Sequence, residues 1–176
     1  YVQRAYMRSK NGDHISAIED FDNAIRIDPK KDYLFNSRGF SKAQTGDYIG
    51  AIKDFSSTLS LNPNNEVAYT NRAYYKTQIG DFKGALADYS TALKIDPIEP
   101  QTYISRAWVN FNLGDYEQAN VDYEKVLDIG DNTQKLESVI YLIDNYLIIF
   151  LQSILHIYCN SMINRLIDNK FATLAL

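Results

Sequence analysis

Between Phe82 and Ile95, the residues Ala85, Leu86, Tyr89, Ala92 and Leu93 fall at i, i+3, i+4, i+7 and i+8 with polar residues between them. That spacing predicts an amphipathic helix with one apolar stripe. Upstream, Tyr69, Ala73 and Tyr74 fall at helical spacing before Gly80, so a second helix is expected there. Gly80 can adopt the left-handed conformation that ends a helix, and Asp81 offers a carboxylate to the free amides that open the next one. The Gly-Asp pair reads as a stop followed by a start. Pro97 lies just past the second helix and cannot continue a helix interior.

The same pattern recurs along the chain. Gly12, Gly46, Gly80 and Gly114 stand 34 residues apart, each followed by Asp13, Asp47, Asp81 or Asp115 and then by His14, Tyr48, Phe82 or Tyr116. Further on come a small residue, Ala17, Ala51, Ala85 or Ala119, and an aromatic one, Phe21, Phe55, Tyr89 or Tyr123. Before each Gly stand a ring, Tyr1, Phe35, Tyr69 or Tyr103, and a small residue, Ala5, Gly39, Ala73 or Ala107. Pro29, Pro63 and Pro97 close three of the copies, and Asp131 stands where a fourth Pro is expected. Such a period marks a solenoid, and this layout resembles the tetratricopeptide repeat over residues 1–131. The units are 1–31, 32–65, 66–99 and 100–131, the first lacking its opening three residues. Thr58 and Val126 depart from the small residue seen at Ala24 and Ala92, as Asp131 departs from Pro, which bears on the packing of the second and fourth units.

The resemblance implies an all-α fold: an α-solenoid, a right-handed superhelix of antiparallel helix pairs, with the first helix of every pair on the inner surface. Neither helix of a pair can bury its stripe alone, so neighbouring units must stack. Ala73 and Ala85 should mark the closest approach of two helices, with Tyr89 filling the space beside them. A larger side chain there would cost about 1–3 kcal/mol by overpacking.

The resemblance further implies a non-catalytic scaffold that binds a peptide or helical segment in the concave groove. Carried over position by position, the groove residues are Tyr6, Phe40, Tyr74 and Trp108 as an aromatic stripe. Flanking them are Asn36, Asn71, Thr70, Ile104, Lys10, Gln44, Gln78 and Asn112. Rings give contact area at little entropic cost, and amides can meet a peptide backbone as donor or acceptor, which suits a neutral or weakly polar segment. The competing reading packs these rings between adjacent first helices. A subset of the family holds acidic chaperone tails through Lys, Arg and Asn. Here those positions carry Val2, Tyr6, Ser37, Gln101 and Ser105, with Asn71 and Lys10 the only similar groups nearby, which argues against such a tail.

Charge follows the period too. Arg4, Arg38, Arg72 and Arg106 each have an acid sixteen residues later, Asp20, Asp54, Asp88 or Asp122. A guanidinium can hold a carboxylate through two parallel hydrogen bonds, so the row reads as a structural ladder, within a unit or between neighbours, and less well as an anion-binding row.

Net charge is −4, and nothing in the composition is basic enough to suggest nucleic acid as a partner. The lone cysteine, Cys159, excludes an internal disulfide and is compatible with a reducing, cytoplasmic compartment. His14 and His156 have no second His or Cys at ligand spacing, and no phosphate-cradling Gly loop occurs, so no cofactor, metal or catalytic residue is assigned. The chain opens on Tyr1, partway through a unit, and reads as a fragment or processed product.

Residues 132–176 are written differently. A fifth Gly is missing, since Ile148 stands in its place, and charged residues fall from 34 of 131 before the boundary to 6 of 45 after it. Leu136, Val139, Ile140, Ile143, Leu147, Phe150, Leu151, Ile154 and Tyr158 form a helical stripe, while Leu142, Ile148, Ile149 and Leu155 make the opposite face apolar as well. Three readings are open: a capping helix covered by residues 161–176 or by another chain as a homo-oligomer, a membrane anchor over residues 145–164, or a non-native extension. Asn145, Gln152, Ser153, His156, Asn160 and Ser161 count against the anchor, because each would need an internal partner in lipid. A tail that makes the principal contact, for assembly or membrane tethering, is the alternative to the groove.

Overall fold

Each Gly-Asp pair forms the stop and start its chemistry allows. Gly12, Gly46, Gly80 and Gly114 all take φ between +80° and +86°. The following Asp amide reaches back to the carbonyl of Arg8, Lys42, Lys76 or Asn110 at 2.9–3.0 Å, closing the helix end. The same Asp side chain accepts from the backbone amide of Ser16, Gly50, Gly84 or Gln118 and opens the next helix.

The chain, described here from a computed structural model, is defined over residues 1–131, 133–135, 138–144, 146–149, 151, 152 and 155. Its helices run α1 Val2–Lys10, α2 His14–Ile27, α3 Asp32–Gln44, α4 Tyr48–Leu61, α5 Glu66–Gln78, α6 Phe82–Ile95, α7 Pro100–Asn112 and α8 Tyr116–Ile129. No strand occurs among the described residues. The helix expected from Phe82 to Ile95 has those bounds. Consecutive helices pack on one another, and α1 also touches α3 as α5 touches α7.

The core is distributed along the stack. Ala5, Ala17 and Phe21 form one cluster, Ala73, Ala85, Tyr89 and Val109 another, and Ala107, Ala119 and Tyr123 a third. Between the first two lies Phe55, stacked on Tyr75 of α5 at 5.9 Å. Phe21, Phe55, Tyr89 and Tyr123 are all buried, so one ring per unit fills the gap that small residues leave. Burial pushes the Tyr89 phenol up to about 12.

The three departures from the repeat pattern are accommodated. Thr58 is fully buried, and its hydroxyl donates to the carbonyls of Asp54 and Asp32, tying α4 to the start of α3. Val126 is fully buried without a polar group to satisfy. Asp131 and Gln134 bond each other's backbone amides at 2.9 and 3.0 Å, a reciprocal capping box that starts a new helical segment where Pro would only have ended the old one.

That segment is helical at 133–135, 138–144 and 146–149. Tyr141 stacks on Tyr123 with centroids 5.2 Å apart and planes 9° apart, and Leu142 packs on the same cluster. Val139, Ile140, Ile143, Leu147, Leu151 and Leu155 are exposed. Among the described residues no helix is long and apolar enough to cross a membrane. Leu136, Asn145, Phe150, Ser153, Ile154, His156, Tyr158, Cys159, Asn160 and Ser161 lie outside the described residues, as does the stretch 161–176 expected to cover the second face.

Candidate functional site

The scaffold under the site is held by the ladder. In each unit the Arg Nε and Nη2 donate to both oxygens of the Asp sixteen residues on, at 2.6–2.9 Å. The pair therefore lies within a unit, while the third guanidinium nitrogen reaches back one unit: Arg38 to Asp22, Arg72 to Ser56, Arg106 to Ser90. Each guanidinium also lies over the ring three residues before it, 5.5–5.7 Å from the centroid. A second cation, Arg8, Lys42 or Lys76, completes the first three carboxylates at 2.7–2.9 Å. In the fourth unit the buried Asn110 stands in that place. Hydrogen bonds from Arg4 hold the Asp20 carboxyl below its ordinary value, and those to Asp54 and Asp122 raise Arg38 and Arg106. With the carboxylates so occupied, the Arg row serves the fold.

The first helix of every unit turns its next residue outward. Tyr6, Phe40, Tyr74 and Trp108 are 40–49 % exposed. Each also rests on a neighbouring ring: Tyr6 edge-on to Phe21, Phe40 to His14, Tyr74 to Tyr75, and Trp108 tilted against Phe82. One side of each ring is thus fixed and the other faces solvent.

Two clefts collect most of the sequence-derived site residues. The first, about 310 Å³, is lined by Tyr6, Lys10, Asn36, Phe40 and Asn71, drawn from α1, α3 and α5. The Tyr6 and Ser37 hydroxyls share a hydrogen bond of 2.8 Å at its edge. Asn36 Oδ1 is buried with no hydrogen-bond partner among the described residues, a cost unless something donates to it. The second cleft, about 220 Å³, lies between α5 and α7 and is lined by Tyr74, Gln78, Ile104 and Trp108 together with Gln101 and Ser105. Ile104 is only 5 % exposed and forms its wall.

Gln44, Thr70 and Asn112 line neither cleft. The Thr70 hydroxyl donates to Glu66, and the Asn112 amide donates to the Trp108 carbonyl, so both serve their own helices. The sequence reading missed Tyr141, which enters the second cleft from the tail. Its signal was present: Tyr141 stands 34 residues after Ala107, in the register of a fifth first helix. Among the described residues no group of His, Cys, Asp or Glu is placed to hold a metal ion.

A tetratricopeptide repeat family model matches residues 1–31, 67–99 and 100–130. Residues 32–66 fall between these matches, yet α3 and α4 carry the same capped turn and Arg-Asp pair. No curated protein sequence matches the chain. Among solved structures, MamA is similar in fold at 19 % identity, with 73 % of this chain and 70 % of that one covered and a TM-score of 0.71. A tetratricopeptide repeat protein from Parabacteroides merdae is 26 % identical over 77 % of this chain, with a TM-score of 0.72, and the match spans 55 % of its length. The first such domain of Spaghetti (RPAP3), solved with the HSP90 peptide SRMEEVD, is 26 % identical over 68 % of this chain and 95 % of its own, with a TM-score of 0.62.

Proposed function

We propose that this chain, which belongs to the tetratricopeptide repeat family, is a non-catalytic scaffold that holds a peptide or helical segment of another protein along the exposed face of α1, α3, α5 and α7. The observation that carries the reading is the row of half-exposed rings, one per unit, each braced on one side and bordered by clefts that hold amides and hydroxyls. Braced aromatic side chains lose little freedom on binding, which is why such residues dominate binding energy elsewhere. The Spaghetti domain shows that a relative of this fold takes a peptide. The peptide it holds is acidic, whereas the row here brings only Lys10 into the first cleft and no cation into the second. A neutral or weakly polar segment fits this surface better than an acidic tail.

The exposed Ile140, Ile143 and Leu151 favour a second reading, in which the tail makes the principal contact as an assembly or tethering surface. Selection of dodecapeptides from a random display library on the full chain separates the two. The groove reading expects enriched peptides to lose at least tenfold in affinity on Tyr74→Ala with Trp108→Ala, each a half-buried aromatic anchor worth roughly 1–2 kcal/mol. If Ile140→Ser with Ile143→Ser and Leu151→Ser abolishes binding and the ring pair does not, the tail is the binding surface.

A further inference from the structure

Beyond α8 the stack ends in a cavity of about 280 Å³ whose walls come from two regions of the chain. Trp108 and Phe111 reach it from α7, Tyr123 from α8, and Tyr141 and Asp144 from the tail helix. Leu147 and Ile148 complete the lining. At the boundary between the second and third units Tyr75 stacks on both Tyr48 and Phe55, at 5.5 and 5.9 Å. At the end of the array Tyr141 stacks on Tyr123, and open space remains between this ring pair and Trp108.

We infer that this cavity is a site for a cationic side chain, a Lys or Arg of the bound segment, enclosed by Trp108, Phe111 and Tyr141 above the buried Tyr123 and paired with Asp144. The inference rests on the groove reading. Aromatic faces carry negative potential, so a cation among them is attracted and an anion repelled. Asp144 follows Tyr141 by three residues on one helix, which sets ring and carboxylate on neighbouring turns of the same face. It is the only charged residue lining the cavity among the described residues, and it is exposed. A neutral apolar side chain would fit the rings but would cover the carboxylate without giving it a partner. A cation satisfies both, and its alkyl stem lies along Leu147 and Ile148.

The location also specifies the neighbouring residue. Trp108 and Tyr141 line both this cavity and the cleft holding Tyr74, Gln78 and Ser105, so the two pockets are contiguous. A segment running between α5 and α7 therefore places one side chain against Tyr74 and Trp108 and the next within reach of Asp144. The partner is a segment carrying Lys or Arg close to an apolar or aromatic residue, the reverse of an acidic tail. The tail helix, on this account, completes the groove.

Trp108 is the only tryptophan, so its emission reports on the cavity. The full chain is titrated with the N-acetyl methylamides of lysine, norleucine and glutamate. The lysine derivative should bind about tenfold more tightly than the norleucine one, the gain a desolvated cation draws from rings and a carboxylate, and the glutamate derivative should give no saturable change. Asp144→Asn, at an exposed position, should remove most of the lysine advantage over norleucine, leaving the part the rings supply, with the helical circular dichroism unchanged. Equal binding of lysine and norleucine, a saturable response to glutamate equal to that to lysine, no saturable response to lysine, or a lysine advantage undiminished by Asp144→Asn would each overturn the inference. Because these probes engage one pocket only, peptides that are captured through Tyr74 but lack a basic residue would leave the groove standing while removing the cation site.

Discussion

The repeat array and the tail helix solve opposite problems with the same register. In the array every unit presents a small residue, Ala5, Gly39, Ala73 or Ala107, where the second helix must come close, and a buried ring fills the space beside it. At Gly39 an added Cβ would sit 3.1 Å from the Phe55 ring, which shows how near that approach is. The tail reaches the same register with Tyr141, whose bulk lies flat on Tyr123. A small residue invites a partner helix, whereas Tyr141 covers the last ring of the array with its own. The array's ladder charges are correspondingly paired with one another, while the tail leaves apolar side chains and Asp144 to solvent.

If that contrast holds, the greatest damage comes from opening a ladder carboxylate. Asp88→Ala strands Arg72 and Lys76 beside a buried position and should cost about 3–5 kcal/mol, read by urea denaturation. Arg72→Met combined with Asp88→Leu should cost less, because the buried charge is gone and Lys76 can swing to water. Equal losses for the single and the double variant would mean that the ladder supports the fold by packing alone.

Next in size is the lid of the array. Tyr141→Ala removes a stacked ring and should cost about 1–2 kcal/mol. Since a solenoid's units support only their neighbours, amide exchange should quicken in α8 and the tail and stay unchanged in α1 to α4. Uniform quickening along the chain would contradict a distributed core.

The effect that is smallest at neutral pH appears only in alkali. Burial holds the Tyr89 phenol at about 12 against an ordinary 10.0. Below pH 10 both folded and unfolded states keep the proton and the stability is whole. Between pH 10 and 12 the unfolded chain ionises first, so stability falls by at most about 1.4 kcal/mol per pH unit for this group. Tyr89→Phe should make the alkaline limb of the stability profile shallower; an unchanged limb would place the phenol in water.

How much of this could be read from the residues differs between the two regions. Helix ends, the buried rings and the Arg-Asp pairs were legible because four copies repeat one solution, so chance matches cancel. The second cation at Arg8, Lys42 and Lys76 carried the same 34-residue signal, yet it was overlooked because the fourth copy holds Asn110. Asp131 was read only as a missing Pro, although the Asp-x-x-Gln spacing to Gln134 spells a capping box. Of the twelve candidate site residues, position along the helix gave nine that gather in two clefts. It could not foresee that Thr70 and Asn112 bond their own helices, since such bonds depend on rotamers. In the tail the other repeat signals stop, so the 34-residue register of Tyr141 after Ala107 stood alone and its stacking on Tyr123 needed the structure.

The central claim is that the binding face is the row of first helices closed by the tail. Hydrogen-exchange footprinting with a saturating selected peptide tests it most directly. The account predicts slowed exchange in α5, α7 and residues 138–148, with α2, α4 and α6 unchanged. Protection confined to the second helices, or to residues 151–155 alone, would contradict it.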